Sequence, residues 1–205
     1  MEKAGFQDRV KRVGVGVSGA PAAAIDACWP PHLPPWGSAS TWRAATAALD
    51  HHLGLAHIRC HQPTRQKAAA IERLLVRMAP VMEALARQTC RDCADSCCRR
   101  ATVWYDCTDL LVLGFTGQRW PSGQPMAAVG DRCRYLGAAG CRLPRIQRPW
   151  ICTWYLCPRQ TASLQPVCVP PAMAPHVGRL PRWLRGMKRL RQGLLEDFIG
   201  AALGH

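Results

Sequence analysis

With 205 residues, 48% of them hydrophobic, the chain can bury a single core, or one core with a small module beside it. Its 27 basic and 13 acidic side chains give a formal net charge of +14, a balance that suits nucleic acid or an anionic membrane face but, with no recognisable nucleic-acid module beside it, reads first as a solvated arginine-rich surface. No run approaches the roughly 20 apolar residues of a membrane span, so no transmembrane segment is expected, while the 12 cysteines point either to disulfides or to metal ligation, depending on compartment.

Residues 1–62 give little organisation. The opening MEKAGFQDRVKR carries charges of both signs. The following VGVGVSGAPAAAIDA ends in small residues, as a secretory leader does, but glycines and Pro21 interrupt it. Reduced thiols in the cytoplasm are therefore expected. Pro30, Pro31, Pro34 and Pro35 disfavour helix and strand alike, and residues 1–62 read as a poorly ordered or variable segment. A helical pattern is possible from Ala44 to Leu55. His51, His52, His57 and His61 gather near Cys60, and His57 and His61, four apart, would share a helix face. Pro63 follows at once and no second ligand pair lies nearby, so these histidines are read as polar-loop residues.

A cysteine-rich domain with a leading helix is expected over residues 63–160. Ile71, Leu74, Leu75, Met78, Met82 and Leu85 recur at three and four on one face, with Thr64 as cap and Pro80 expected to kink or divide the helix. Met78 and Met82 read as core filling. The helix leads into Cys90, Cys93, Cys97 and Cys98. A C-x-x-C turn aims two sulfurs and several backbone N–H groups at one ion. A thioredoxin-type dithiol would need a βαβ context, which is missing. The adjacent Cys97 and Cys98 point in different directions in most backbones, so they serve two metals or leave one thiol outside the ligand set. Arg99 and Arg100 favour thiolates.

Thr102 to Tyr105 alternates like a short strand. Thr108 is placed to cap a brief helix through Leu113 that stops at Gly114. Cys107 reads as a buried thiol rather than a ligand, and Asp106 and Asp109 as capping residues rather than a catalytic pair. The turn-rich loop GQRWPSGQP then returns the chain to a second cluster, Cys133, Cys141, Cys152 and Cys157. Zinc takes four thiolates at about 2.3 Å, and iron–sulfur clusters also take about four. The eight clustered cysteines can therefore supply two complete sites, or one site with supporting thiols. Two zinc sites would lower the formal charge to about +10. Arg148 can donate to sulfurs or carbonyls, Pro149 fixes the chain's approach to Cys152, and Trp150, Trp154 and Tyr155 surround the last two ligands.

The two clusters together resemble the CxxCxxCC family of zinc- or iron-chelating proteins (YkgJ-like). That pattern is a compact four-cysteine opening followed by C-x-x-L, a further Cys, R-P-x-x-C and a final Cys. Cys133 with Leu136, Cys141, Arg148 and Pro149, Cys152 and Cys157 match the second half. The first half departs from it by placing three residues, not two, between Cys93 and Cys97. The resemblance covers about a third of the chain and implies metal chelation, without specifying a reaction.

Residues 161–205 read as a proline-rich connector holding Cys168, then an amphipathic helix with Pro181 near its start. Trp183, Met187, Leu190, Leu194 and Phe198 form its stripe, and Arg182, Arg185 and Arg189 lie mostly away from it. Gly186, Gly193 and Gly200 recur beside the stripe, as for a helix lying close to a neighbour. The expected fold is mainly α with irregular loops, a small cysteine-rich metal-organised domain with flanking helices. The expected function is binding of an iron–sulfur cluster or zinc. The alternatives are a cluster-dependent redox or modifying enzyme, and a metal-stabilised basic module for a protein partner or, less favoured, nucleic acid, suggested by the charge and by Arg142, Arg145 and Arg148.

Overall fold

A computed structural model describes residues 38–90, 93, 97–100, 102–128, 130–138, 140–165 and 173–203, with only the backbone described at Cys97 and Arg100. The Gly/Ala run, the prolines before residue 38, Cys28 and Cys168 lie outside them. Helix α1 (Ala39–Gly54) starts at a capping box: Ser38 Oγ accepts from the Thr41 backbone N–H at 3.1 Å, and Thr41 Oγ1 accepts from that of Ser38 at 3.2 Å. Its buried face is Trp42, Ala45 and Leu49, and the short α2 (Ala56–Arg59) adds a fully buried Ile58. The boundary expected at residue 62 is thereby corrected. Residues 39–59 belong to the core, because three large apolar side chains in two short helices bury enough surface to hold them there.

Helix α3 (Gln62–Cys90) buries Ile71, Leu75, Met78, Met82 and Leu85 as its periodicity predicts. Two local details differ. Pro80 does not divide the helix, which runs through it with Met78 and Val81 fully buried on either side. Thr64 is not the cap: the helix begins two residues earlier, and Thr64 is buried and shares a 2.6 Å hydrogen bond with His61 Nδ1.

After the short α4 (Cys97–Arg100), residues 102–106 are not a strand. A side chain takes the place of a strand partner: the Tyr105 N–H donates to Gln124 Oε1 at 2.8 Å, and Gln124 Nε2 donates to the Tyr105 carbonyl at 3.1 Å. Helix α5 (Cys107–Phe115) is capped by Asp106 rather than Thr108, in a reciprocal box with Asp109. The sheet of the described residues is the two-residue pair β1 (Leu136–Gly137) and β2 (Gly140–Cys141), antiparallel, with Leu136 opposite Cys141. It folds back on Gly140, whose φ of +105° suits a residue without Cβ. A 3₁₀ turn (Arg145–Gln147), α6 (Trp150–Trp154) and α7 (Pro158–Ser163) follow.

Helix α8 (Ala174–Leu203) packs along α3. It begins seven residues before Pro181, which it accommodates beside a buried Leu180. Met187, Leu194 and Phe198 are buried, whereas Arg182, Arg185 and Arg189 are exposed. Gly193 marks a close approach, since a Cβ there would sit 3.0 Å from Lys67 Cε; at Gly200 nothing lies within 4 Å. Lys67 pairs with Asp197 across the same contact. The fold is mainly α with irregular loops, and no helix of the described residues is long and apolar enough to cross a membrane.

Candidate metal centre

The fold interleaves the two cysteine clusters. Cys90 is the last residue of α3, where the Thr89 hydroxyl bonds the Leu85 carbonyl at 2.6 Å and lies 3.7 Å from the Cys90 sulfur. The Cys93 N–H donates to the Cys90 carbonyl at 3.4 Å. The β1–β2 hairpin carries the second cluster back to this point: a Cβ on Gly140, next to Cys141, would lie 3.9 Å from Cys90 Cβ. The Cys133 N–H donates to the Cys98 carbonyl at 3.0 Å. Cys98, Cys133 and Cys152 then meet in a satellite apolar cluster with Val103 and Met126, apart from the main core. Cys60, by contrast, is exposed on the α2 side.

Gln160 joins sulfurs of the two clusters. Cys157 caps α7, its sulfur accepting from the Gln160 backbone N–H at 3.4 Å while its own N–H donates to Gln160 Oε1 at 3.3 Å. Gln160 Nε2 donates to the Cys90 sulfur, 70 residues earlier in the chain, at 3.7 Å.

A second brace runs from α3. The Glu83 carboxylate accepts from Arg145 Nη2 at 2.9 Å and from Arg148 Nη2 at 3.0 Å. Arg145 Nη1 donates to the Cys152 carbonyl at 3.1 Å, and Arg148 Nε to the Leu143 carbonyl at 2.9 Å. Arg148 thus meets a carbonyl, as the R-P motif allows, and the segment carrying Cys141 and Cys152 is tied to the helix that ends in Cys90.

Burial raises the Cys133 thiol above its ordinary pKa, and the nearby Cys141 adds to this while backbone N–H groups oppose it. Such a thiol becomes a thiolate ligand when a cation replaces its lost hydration. Cys107 is neither spare ligand nor free thiol: it is buried and disulfide-bonded. The expectation of reduced thiols throughout therefore fails at this position.

One polar network was not anticipated from the sequence. Arg191 is buried, donates to Asp109 Oδ1 and to both Asp106 oxygens, each at 2.7 Å, and lies over the Trp150 ring at 5.1 Å. Asp109 also accepts the Trp150 backbone N–H at 3.1 Å, fixing the start of the helix that holds Cys152. Burial pushes the Asp109 carboxyl up to about 7 although Arg191 draws it down. Arg191 stays charged: burial opposes it, but Asp106 and Asp109 together hold it above its ordinary value. The readable signal was the register, since Arg191 stands four residues after Met187 and three before Leu194 on the apolar face. Tyr105, Asp109, Trp150, Thr153 and Arg191 line a cavity of about 10 Å³, room for about one water.

Set against family models, curated proteins and solved structures, the chain matches none of them. Among the described residues no three His, Cys, Asp or Glu side chains stand gathered as a metal site. The chemistry of the donors nevertheless fits a thiophilic metal or an iron–sulfur cluster: thiols drawn to one region, two of them accepting N–H bonds, braced by arginines tied to α3. His57 is exposed and His61 is bonded to Thr64, so neither joins these thiols.

Proposed function

We propose that the protein binds zinc or an iron–sulfur cluster through thiolates drawn jointly from Cys90, Cys93, Cys97 and Cys98 and from Cys133, Cys141, Cys152 and Cys157. The observation that supports this reading best is the contact of one buried side chain, Gln160, with Cys90 of the first cluster and with Cys157 of the second. The resemblance to the CxxCxxCC chelating family points the same way. Binding also contributes folding energy, because ligands so far apart in sequence must be assembled for the metal. The reading is tested by titrating the reduced, metal-free protein with zinc against a chromophoric chelator while counting free thiols. Saturable binding with loss of at least four reactive thiols is expected. Failure to compete with the chelator contradicts it.

A second reading, a metal-stabilised basic module for an anionic partner, is supported by Arg182, Arg185 and Arg189, exposed along α8. Binding to single-stranded RNA that weakens steeply with salt would favour it. Salt-independent binding, or none, would not.

A further inference from the structure

Gln160 is 7% exposed, and every polar group of its side chain is used on the cysteines. Oε1 accepts from the Cys157 N–H, Nε2 donates to the Cys90 sulfur, and its backbone N–H donates to the Cys157 sulfur. Capping of α7 needs the first and third of these alone. The Nε2 contact to the far end of the cysteine stretch adds nothing to the cap. A glutamate would satisfy the same capping box, so the capping role does not account for an amide here. An amide has a property a glutamate lacks: it accepts on one end and donates on the other, which a carboxylate cannot do.

We infer that Gln160 is a positioning residue which pairs Cys90 with Cys157 as two thiolates of one site, so that this site takes ligands from both sequence clusters. The inference rests on the metal reading for the identity of what the pair binds, but the pairing itself is a property of the protein alone. N–H donors to a ligating sulfur disperse its charge and fix its direction, and loss of such outer partners lowers metal affinity by about 10–100-fold in general. Thr89, whose hydroxyl also lies 3.7 Å from the Cys90 sulfur, supports the same sulfur from the α3 side.

The test compares wild type with Gln160→Glu and Gln160→Leu. The glutamate keeps the α7 cap and removes the donor to Cys90; the leucine removes that donor and the Oε1 half of the cap, leaving the backbone N–H to the Cys157 sulfur. In the reduced, metal-free protein, dibromobimane should bridge Cys90 to Cys157, identified as a linked peptide by mass spectrometry. The yield should fall severalfold in Gln160→Glu, with circular dichroism unchanged. In the cobalt-loaded protein, the thiolate-to-cobalt charge-transfer band should weaken or shift in Gln160→Glu, and zinc affinity should drop by about 10–100-fold. A Cys90–Cys157 bridge formed equally well in wild type and Gln160→Glu overturns the inference, as does a wild type that bridges Cys90 only to Cys93. If wild type takes up neither zinc nor cobalt yet bridges Cys90 to Cys157 in a Gln160-dependent way, the metal reading fails and the pairing stands.

Discussion

The cysteines of this chain divide by what surrounds each sulfur. Cys90 and Cys157 accept N–H bonds, Cys133 is buried beside Cys98 and Cys152, and Cys60 is exposed. Replacing Cys90, Cys141 or Cys152 by serine should therefore abolish stoichiometric metal and lower the melting temperature of the metal-loaded protein, whereas Cys60→Ser should leave both in place. Equal effects at Cys60 and Cys90 would refute the assignment. Glu83 is a subtler test, since it holds two arginines while bearing no sulfur. Glu83→Ala leaves two buried guanidinium groups short of a partner. Because the carboxylate is itself about a third exposed, the expected cost, read from urea unfolding, is about 1–3 kcal/mol. Asp109 sets a pH dependence. Its folded value, about 7, stands above the 3.8 of an unconstrained aspartate, so the folded state keeps a proton that the unfolded chain has lost between these limits. Stability from this group is present at the acid end of that window and is lost as pH rises through it. Between pH 5 and pH 7.5 wild type should lose stability relative to Asp109→Asn, measured by urea midpoints. Parallel profiles would contradict the assignment.

At the scale of elements, the long helices were legible and the irregular parts were not. Ile71, Leu75, Met78, Met82 and Leu85 repeat at helical spacing, and packing against α8 rewards that pattern regardless of Pro80. Proline's missing N–H predicts a kink or division at Pro80 and a start near Pro181, but burial of the neighbouring Val81 and Leu180 outweighs one missing hydrogen bond. Tyr105 looked like part of a strand because alternation reports burial and not pairing, and here Gln124 supplies the pairing. The N-terminal region misled for another reason. Its glycines and prolines disfavour regular structure, while Trp42, Leu49 and Ile58 carry the packing. Trp42→Ala should accordingly cost about 3–5 kcal/mol, as deletion of a buried aromatic does, and a shortened chain beginning at residue 63 should be markedly less stable than one beginning at residue 38. Thermal unfolding of the two truncations checks this. Identical transitions would mean that α1 and α2 contribute nothing.

For the whole molecule, the cysteine motifs name candidate ligands by spacing alone and say nothing of the contacts that folding makes between the two clusters. Sequence spacing groups Cys90 with Cys93 and Cys98; folding places Gln160 between Cys90 and Cys157, and puts Cys133 against Cys98. Such long-range pairing depends on α3, the hairpin and α7 arriving at one place, and no local pattern encodes it. Glu83, Gln160 and Asp109 each link an element of the core to the cysteine region. Metal removal should therefore unfold the cysteine region in one cooperative step, not as two independent fingers. The central claim remains that these thiols hold a metal, and the most direct measurement is anaerobic purification of the full chain with iron, zinc and acid-labile sulfide determined per protein and a visible spectrum recorded. The account predicts either at least one zinc per chain, or iron and sulfide together with a sulfur-to-iron absorption band, in both cases lost on Cys90→Ser. A well-folded protein isolated with neither metal, its eight clustered thiols all freely titratable, would contradict it.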